Sequence, residues 1–374
     1  MSGRRRSVIS EAHPHTIKKF ELIEEYIKSW AQKLMLTDSC NGLIFIDCMC
    51  NCGVYTNDAG ETIKGTAVRV SEALLKVART YPNKAVHIYL NDKDKKRVDE
   101  LEKHLPQNER NFEIVTSRLD AHELLRTIGP QLYQTGHLHY FLLYDPYDAN
   151  IDWEALLPFF RNWGEVMINH MVSDPVRAIT SAKKKTTKKK YENTYLEDFE
   201  KLVPFGSNKS AYEARVEEII KSLKGTRRYY VSAFPFYNTQ NSLMYNLIHC
   251  TSNKEGFKLY KKSAWKVFGA QSSTKNSPES EQLSFGFDGF ITPVTDESCF
   301  HLSDIARYLQ QSFKGRKQVP LDEMWRLLDD HPIFPSEGYR NEIKKDLTER
   351  YDARIEQIVN EETGKKELVI SFSK

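Results

Sequence analysis

The residues with the plainest chemical meaning are Leu142-Leu143-Tyr144-Asp145-Pro146-Tyr147-Asp148. An apolar run ending in an acid, a proline and an aromatic suits a site that must hold an amine. An exocyclic amine on a base is a poor nucleophile, because its lone pair is delocalised into the ring. Hydrogen bonds from that amine to the Asp145 carboxylate and the Pro146 carbonyl would draw it towards tetrahedral geometry and free the pair. The fixed φ of proline aims the carbonyl inward, and Tyr147 can stack on a base extruded from its helix. Methyl transfer to such an amine then needs mostly in-line positioning. The plainer alternative is a strand ending in a Pro-containing turn.

Three more acids follow apolar runs. Asp47 opens Asp47-Cys48-Met49-Cys50-Asn51-Cys52-Gly53, where a carboxylate and a tight turn containing glycine let backbone approach a nucleoside. Asp92 ends the next run and can accept hydrogen bonds from both hydroxyls of a ribose, whereas Asp94 reads as a helix cap. Asp120, followed by Ala121, either reaches an adenine amino group or caps its helix. Cys48, Cys50 and Cys52 match neither zinc nor iron–sulfur spacing, so they are expected to pack as small thiols.

These acids must be positioned by an alternating α/β pattern. After an amphipathic helix over His15–Leu34, apolar runs occupy Leu43–Met49, Ala85–Asp92, Asn111–Ser117, His139–Pro146 and Glu165–Met171. Helical stretches lie between them at Thr66–Arg79 (with Thr66 as N-cap), Asp94–His104, Asp120–Tyr133 and Asp152–Asn162. Near-continuous apolar strands separated by helices imply a doubly wound parallel sheet, with ligands at the strands' carboxyl ends. Helical Thr194–Leu202 and Ser210–Leu223 then lead to Arg227–Asn238 and Leu243–Thr251. That last gap is too short for a crossover helix, so the pair should be antiparallel. Five parallel strands closed by an antiparallel hairpin predict a Rossmann-like sheet of the class I methyltransferase type rather than a dehydrogenase sheet.

Lys183, Lys184, Lys185, Lys188, Lys189 and Lys190 form a run that repels itself and reads as a mobile loop, either merely solvated or tracking phosphates. The expected organisation is a basic tail over 1–14, the Rossmann-like domain over 15–269, a Ser/Asn/Lys-rich linker over 270–299, and a tail domain over 300–374. The tail has helical patterns at His301–Phe313, Leu321–Asp329 and Tyr339–Tyr351, and a hairpin signal around 360–366. Three helices and a hairpin suggest a winged helix. Its third helix would expose Arg340, Lys344 and Lys345, with Glu342, Asp346 and Glu349 nearly cancelling their charge, so nucleic acid and protein docking stay equally open.

Net charge is +3, which permits nucleic acid without arguing for it. No apolar run approaches the ~18 residues of a membrane span. The basic N-terminus lacks the apolar stretch of a signal peptide, and half of the six cysteines crowd together instead of spreading through loops. A reduced, cytoplasmic protein away from membranes is therefore expected.

Taken in order, these pieces resemble the three-Cys-motif partner (TcmP) family. The matching stretches are His15-Thr-Ile-Lys-Lys-Phe-Glu-Leu-Ile-Glu-Glu-Tyr26 with Trp30, Ile46-Asp47 through Gly53, Gly65-Thr66, and Asn91-Asp92 with Leu101. Asp145-Pro146-Tyr147 with Trp153, and Leu243 through Thr251 followed by Gly256, complete the series, which spans roughly Thr16 to Gly269. The resemblance implies a class I methyltransferase-like fold, S-adenosylmethionine as cofactor and a radical-S-adenosylmethionine protein as partner. The sequence departs from the family where Cys50 and Asn51 replace Ala and Gly, and where Asp148 replaces the Gly after Asp-Pro-Tyr.

The combined reading is methyl transfer to an exocyclic amine of a nucleic-acid base, DNA or RNA. Asp47, Cys48, Gly53, Asp92, Asp120 and Ala121 would hold the cofactor, and Asp145, Pro146 and Tyr147 the acceptor. Its rival is a non-catalytic methyltransferase-fold scaffold in a repair or defence complex, which the altered glycine loop and Asp148 favour. Methylation of a small molecule would leave the tail and the lysine run without a role.

Overall fold

Near-continuous apolar runs bury seven strands in one sheet: β1 (Gly42–Asp47), β2 (Ala85–Asn91), β3 (Phe112–Ser117), β4 (Leu138–Tyr144), β5 (Gly164–Met171), β6 (Tyr230–Tyr237) and β7 (Leu243–Thr251). The computed structural model describes residues 8–132, 138–160, 163–225, 229–276, 283–285, 291–293, 298–359 and 364–373. The spatial order is β3-β2-β1-β4-β5-β7-β6. Strands β1 to β5 run parallel, and β7 lies antiparallel between β5 and β6. This is the expected doubly wound sheet with an antiparallel close. The order reverses direction between β1 and β4, the switch point at which such sheets bind ligands.

Alternation along the strands gives the sheet two apolar faces. On one, Phe45 and Phe141 stack with centroids 6.0 Å apart beneath Tyr26 and Trp30 of α1 (Pro14–Met35). The other carries Ile44, Ile46, Leu142, Tyr144, Val166 and Ile168, packed in one cluster with Leu125, Trp153, Tyr195 and Tyr212. Those four come from α4 (Ala121–Gln131), α5 (Trp153–Leu156), α7 (Lys185–Tyr195) and α9 (Lys209–Lys224). Glu165, His249 and Tyr26 form a buried polar knot near the start of β5, with His249 Nε2 2.7 Å from Glu165 Oε2.

Several local expectations need correction. Most of the lysine run is not a loop: Lys183 and Lys184 precede the helix, but Lys185–Tyr195 is α7, held because Tyr191, Thr194 and Tyr195 bury one face. Its lysines find partners instead of repelling freely. Lys190 Nζ lies 3.2 Å from both Asp148 and Asp174, and Lys188 Nζ sits 4.7 Å from the Phe199 ring centroid. Helix α2 (Thr66–Thr80) is capped by Gly65, and Thr66 is its first residue. The Asp152–Asn162 stretch holds one α-turn, then a 3-10 turn over Leu157–Phe159 before the described residues pause at 160. Ser10–Glu11, expected in a basic tail, pairs with Val54–Thr56 in a small sheet with Thr62–Lys64.

The chain divides into two units, Met1–Phe257 and Lys258–Lys374, the boundary falling inside α10 (Lys254–Phe268) and before the one expected at 269. The reason is that the far half of α10 belongs to the second core. Trp265 Nε1 donates to the Ile333 carbonyl at 2.9 Å, and buried Lys261 donates to the carbonyls of Leu328, Asp329 and His331. Parts of the expected linker and the turn at 360–363 lie outside the described residues. The second unit contains α11 (Leu302–Ser312), α12 (Leu321–Asp330) and α13 (Arg340–Tyr351), with β8 (Val319–Pro320) ahead of α12. Strands β9 (Arg354–Val359) and β10 (Lys366–Ser371) pair antiparallel, and β8 joins β10.

Candidate functional site

Register brings the acids together. Asp47 is level with Leu90 on β2 and Leu143 on β4, so Asp92 and Asp145 each stand two residues beyond it on the flanking strands. Asp47 is 2% exposed, and burial followed by the neighbouring Asp145 charge pushes its carboxyl up to about 8. The Met49 amide, donating to Asp47 Oδ1 at 3.2 Å, and the Lys19 charge offset this only in part. Asp47 is therefore largely protonated at neutral pH. A cationic ligand beside it would draw that proton off.

The turn after β1 survives its missing glycine. Asn51 takes φ 59° and Gly53 φ 72°. Asparagine tolerates the left-handed region better than most residues, so the backbone reversal is kept. Gly53 is needed for packing as much as for ligand approach, since a Cβ there would stand 2.3 Å from Leu101 Cδ1. The turn is braced by buried Asn91, whose place in the Asn91-Asp92 stretch gave no sign of this role. Its amide nitrogen donates to the carbonyls of Cys48 and Leu119, and its oxygen accepts from the Leu119 amide and Ser117 Oγ. One side chain thus locks the loops after β1, β2 and β3. The three cysteines pack inward, with Cys48 Sγ donating to Leu143 O and Cys52 Sγ to Val54 O. Burial, reinforced by Asp47, drives the Cys48 and Cys50 thiols far up, which keeps them protonated.

A cleft of about 190 Å³ opens at the switch point, lined by Cys48, Met49, Asp92, Asp120, Ala121 and His122, with Pro146, Tyr147 and Asp148 on the β4 side. Six of the nine residues expected to hold cofactor or acceptor therefore line one cavity; Asp47, Gly53 and Asp145 do not. Asp120 does cap α4, accepting from the His122 amide at 3.0 Å, yet it also borders the cleft. His122 was not anticipated. Its ring is held by Tyr144 Oη, 2.8 Å from Nε2, and Tyr144 in turn donates to the Asn150 carbonyl.

Two cations already sit on the acids. Lys19 of α1, 7% exposed, places Nζ 2.6 Å from Asp145 Oδ2. Asn169 at the end of β5 donates to Asp145 Oδ1 at 2.6 Å. On the other side, Arg97 of α3 (Lys95–Leu101) lies 3.5 Å from Asp92 Oδ2, donates to Tyr147 Oη and covers the Tyr147 ring at 4.9 Å. Asp92 also accepts from the amides of Asn51 and Asp94. Lys19 comes from a helix far from the strand ends in sequence, and Arg97 from the helix directly after β2, whose lean over Asp92 and Tyr147 no spacing shows. Asp148 is neutralised by Lys190 at 3.2 Å, so it adds no bare charge to the acceptor side.

An adenosine-bearing cofactor suits this donor set in part. Met49 and Ala121 offer apolar walls, while Asp92, Asp120 and His122 offer polar edges. The volume is below the ~300 Å³ at which small-molecule sites usually begin, so the cleft as it stands suits the nucleoside half. Outside the cleft lining, Asn169 Oδ1 and His15 Nδ1 are buried and make no hydrogen bond, which is rare for buried polar atoms.

No protein-family model and no curated protein matches the chain. Solved structures similar to it include a Staphylococcus aureus protein described as a caffeoyl-CoA O-methyltransferase, at 11% identity, covering 60% of this chain and 82% of that one with a TM-score of 0.29. Another is a loganic acid methyltransferase with SAH, at 10% identity, covering 68% and 84%, also with a TM-score of 0.29. Likenesses this distant add no weight to the fold, which rests on strand order. None of the described helices is long and apolar enough to cross a membrane.

Proposed function

We propose that the first unit is an S-adenosylmethionine-dependent methyltransferase acting on an exocyclic amine of a nucleic-acid base. The observation that carries this reading is the single cleft at the switch point, where the loops after β1, β2, β3 and β4 meet. When bound, the cofactor would supply an electrophilic methyl on a sulfonium. Asp92, Asp120, Ala121 and His122 would hold its nucleoside half, with Cys48 and Met49 beneath and Asp47 facing its cationic half. Asp145 accepts from the amine, Pro146 offers its carbonyl and exposed Tyr147 stacks on the base. Asn169, tied to Asp145, is a positioning residue.

The second unit, with three helices, a short strand and a hairpin, is read as a winged helix that engages nucleic-acid backbone through Arg340, Lys344 and Lys345. In the first unit, Lys183, Lys184, Lys185 and Lys189 would make phosphate contacts of their own. Lys188 and Lys190 are engaged by Glu200 and by Asp148 and Asp174. Membership of the three-Cys-motif partner family, with a radical-S-adenosylmethionine protein as companion, extends the same proposal.

A second reading has its own support: the scaffold without catalysis, favoured by Lys19 on Asp145 and Arg97 on Asp92. Incubation with methyl-labelled cofactor and mixed pools of DNA and RNA separates the two. Label in a base with the native chain, and none with Asp145→Ala, supports transfer. Label in neither supports the scaffold.

A further inference from the structure

Lys19 occupies Asp145 in a way that constrains what the acceptor must be. Its ammonium is 2.6 Å from one carboxylate oxygen, Asn169 takes the other at 2.6 Å, and the Tyr245 ring lies 5.2 Å from Nζ. Both oxygens that an amine would use are already served, one of them by a full charge. The ammonium is nearly sealed from water, since Lys19 is 7% exposed, while the Asp145 side chain keeps 21% exposure as the side from which an exchange can begin. A neutral base amine is a weak donor and cannot displace an ammonium from a carboxylate in such surroundings. Pulling Lys19 away with nothing to receive it would leave a buried cation unpaired, which is costlier than never having formed the pair.

Beside this pair are polar atoms that no hydrogen bond satisfies. Asn169 Oδ1 and His15 Nδ1 are buried and without a hydrogen bond. His15 stands one turn before Lys19 on α1, and its carbonyl accepts from Tyr245 Oη at 3.1 Å. Burial, then the His13 and Lys19 charges, lowers the His15 ring to about 4, so it stays neutral. The site thus offers a carboxylate, an idle amide oxygen on Asn169, an idle ring nitrogen on His15 and one cation that leaves its carboxylate only for another anion.

We propose that Lys19 is a specificity-determining residue: a phosphate of the incoming nucleotide takes over its ammonium, and Asp145 is thereby released to the base amine. The inference rests on the methyltransferase reading above and deepens it by naming the acceptor class. The acceptor is an amine that carries its own anion at short reach, as each unit of a single-stranded nucleic acid does. A free base or nucleoside brings no anion and meets the closed pair. In the exchange the ammonium passes from one anion to another, and the freed Asp145 carboxylate keeps its hydrogen bond from Asn169 and gains those of the amine.

Salt dependence tests this, because a buried, internally paired lysine releases no counterion unless it leaves its partner for a phosphate. Binding of fluorescent mixed-sequence octamers, one DNA and one RNA, is measured by anisotropy over a range of salt without cofactor. The native chain should show a log–log slope steeper than Lys19→Met by about 0.7, the contribution of one single-strand phosphate contact. Lys19→Arg should restore it. A lysine with a merely structural role would leave the slope of Lys19→Met unchanged, which overturns the proposal. A second readout needs no neutral variant: the Lys19 ¹⁵Nζ resonance of the native chain, assigned by its loss in Lys19→Arg. It should move when octamer saturates the protein, and a stationary resonance overturns the exchange even if Lys19→Met fails to fold. Whichever octamer shifts it identifies the source of the phosphate, and binding of neither overturns the proposal. Since cofactor is absent, failure of methyl transfer leaves this outcome legible on its own.

Discussion

Asp47→Asn should make the first unit more stable, and by an amount that grows with pH. In the native chain the folded carboxyl titrates near 8 against an ordinary 3.8, because it is buried beside Asp145. Between those values the folded state holds a proton that the unfolded state has lost, so stability falls as pH rises from about 4 to about 8. Each pH unit in that window removes roughly 1.4 kcal/mol, for a ceiling of about 6 kcal/mol. Asparagine mimics the protonated acid and carries no such slope. Hydrogen exchange of the β1 amides reports the opening of this unit alone. The variant's gain should be small at pH 5 and several kcal/mol at pH 9. A gain that is flat with pH, or a loss at pH 9, would show that Asp47 is ionised in the folded protein and that the burial argument is wrong.

Four further outcomes follow from the same geometry. Asp145→Ala should abolish methyl transfer while cofactor affinity, read by calorimetry, stays within about threefold, since removing the acceptor's partner deletes a transition-state contact. Gly53→Ala should cost about 2 kcal/mol or more, because its Cβ would meet Leu101 at 2.3 Å at a φ of 72°; a neutral urea midpoint would argue against that turn. Lys261→Met should lower the urea midpoint of the second unit by about 3 kcal/mol equivalent, because three carbonyls lose their donor. Replacing Arg340, Lys344 and Lys345 together by Ala should flatten the salt dependence of nucleic-acid binding, and an unchanged slope would assign α13 to protein docking.

The sheet was legible because strand periodicity is local. Leu43–Met49 and Leu243–Thr251 declare themselves by apolar content, and the five residues between the last two strands leave no room for a crossover. The acids were legible because sheet topology fixes where strand ends go. Lys19 and Arg97 were not, since their roles depend on how helices α1 and α3 lean over those ends, which no spacing rule encodes. Asn91 and Asn169 escaped for a related reason: an asparagine at a strand end gives no signal until its partners on other loops are known. The lysine run misled because charge repulsion was weighed without the buried tyrosines on the same helix, whose packing outweighs it.

Titrating the native chain with S-adenosylmethionine in a calorimeter tests the central claim most directly. Saturable one-to-one binding in the micromolar range is predicted, with release of a proton at pH 7 as the cationic cofactor ionises Asp47, visible as heat that varies with the buffer's own ionisation. Absence of binding at millimolar cofactor would contradict the account and leave the chain as a scaffold with a methyltransferase-like sheet.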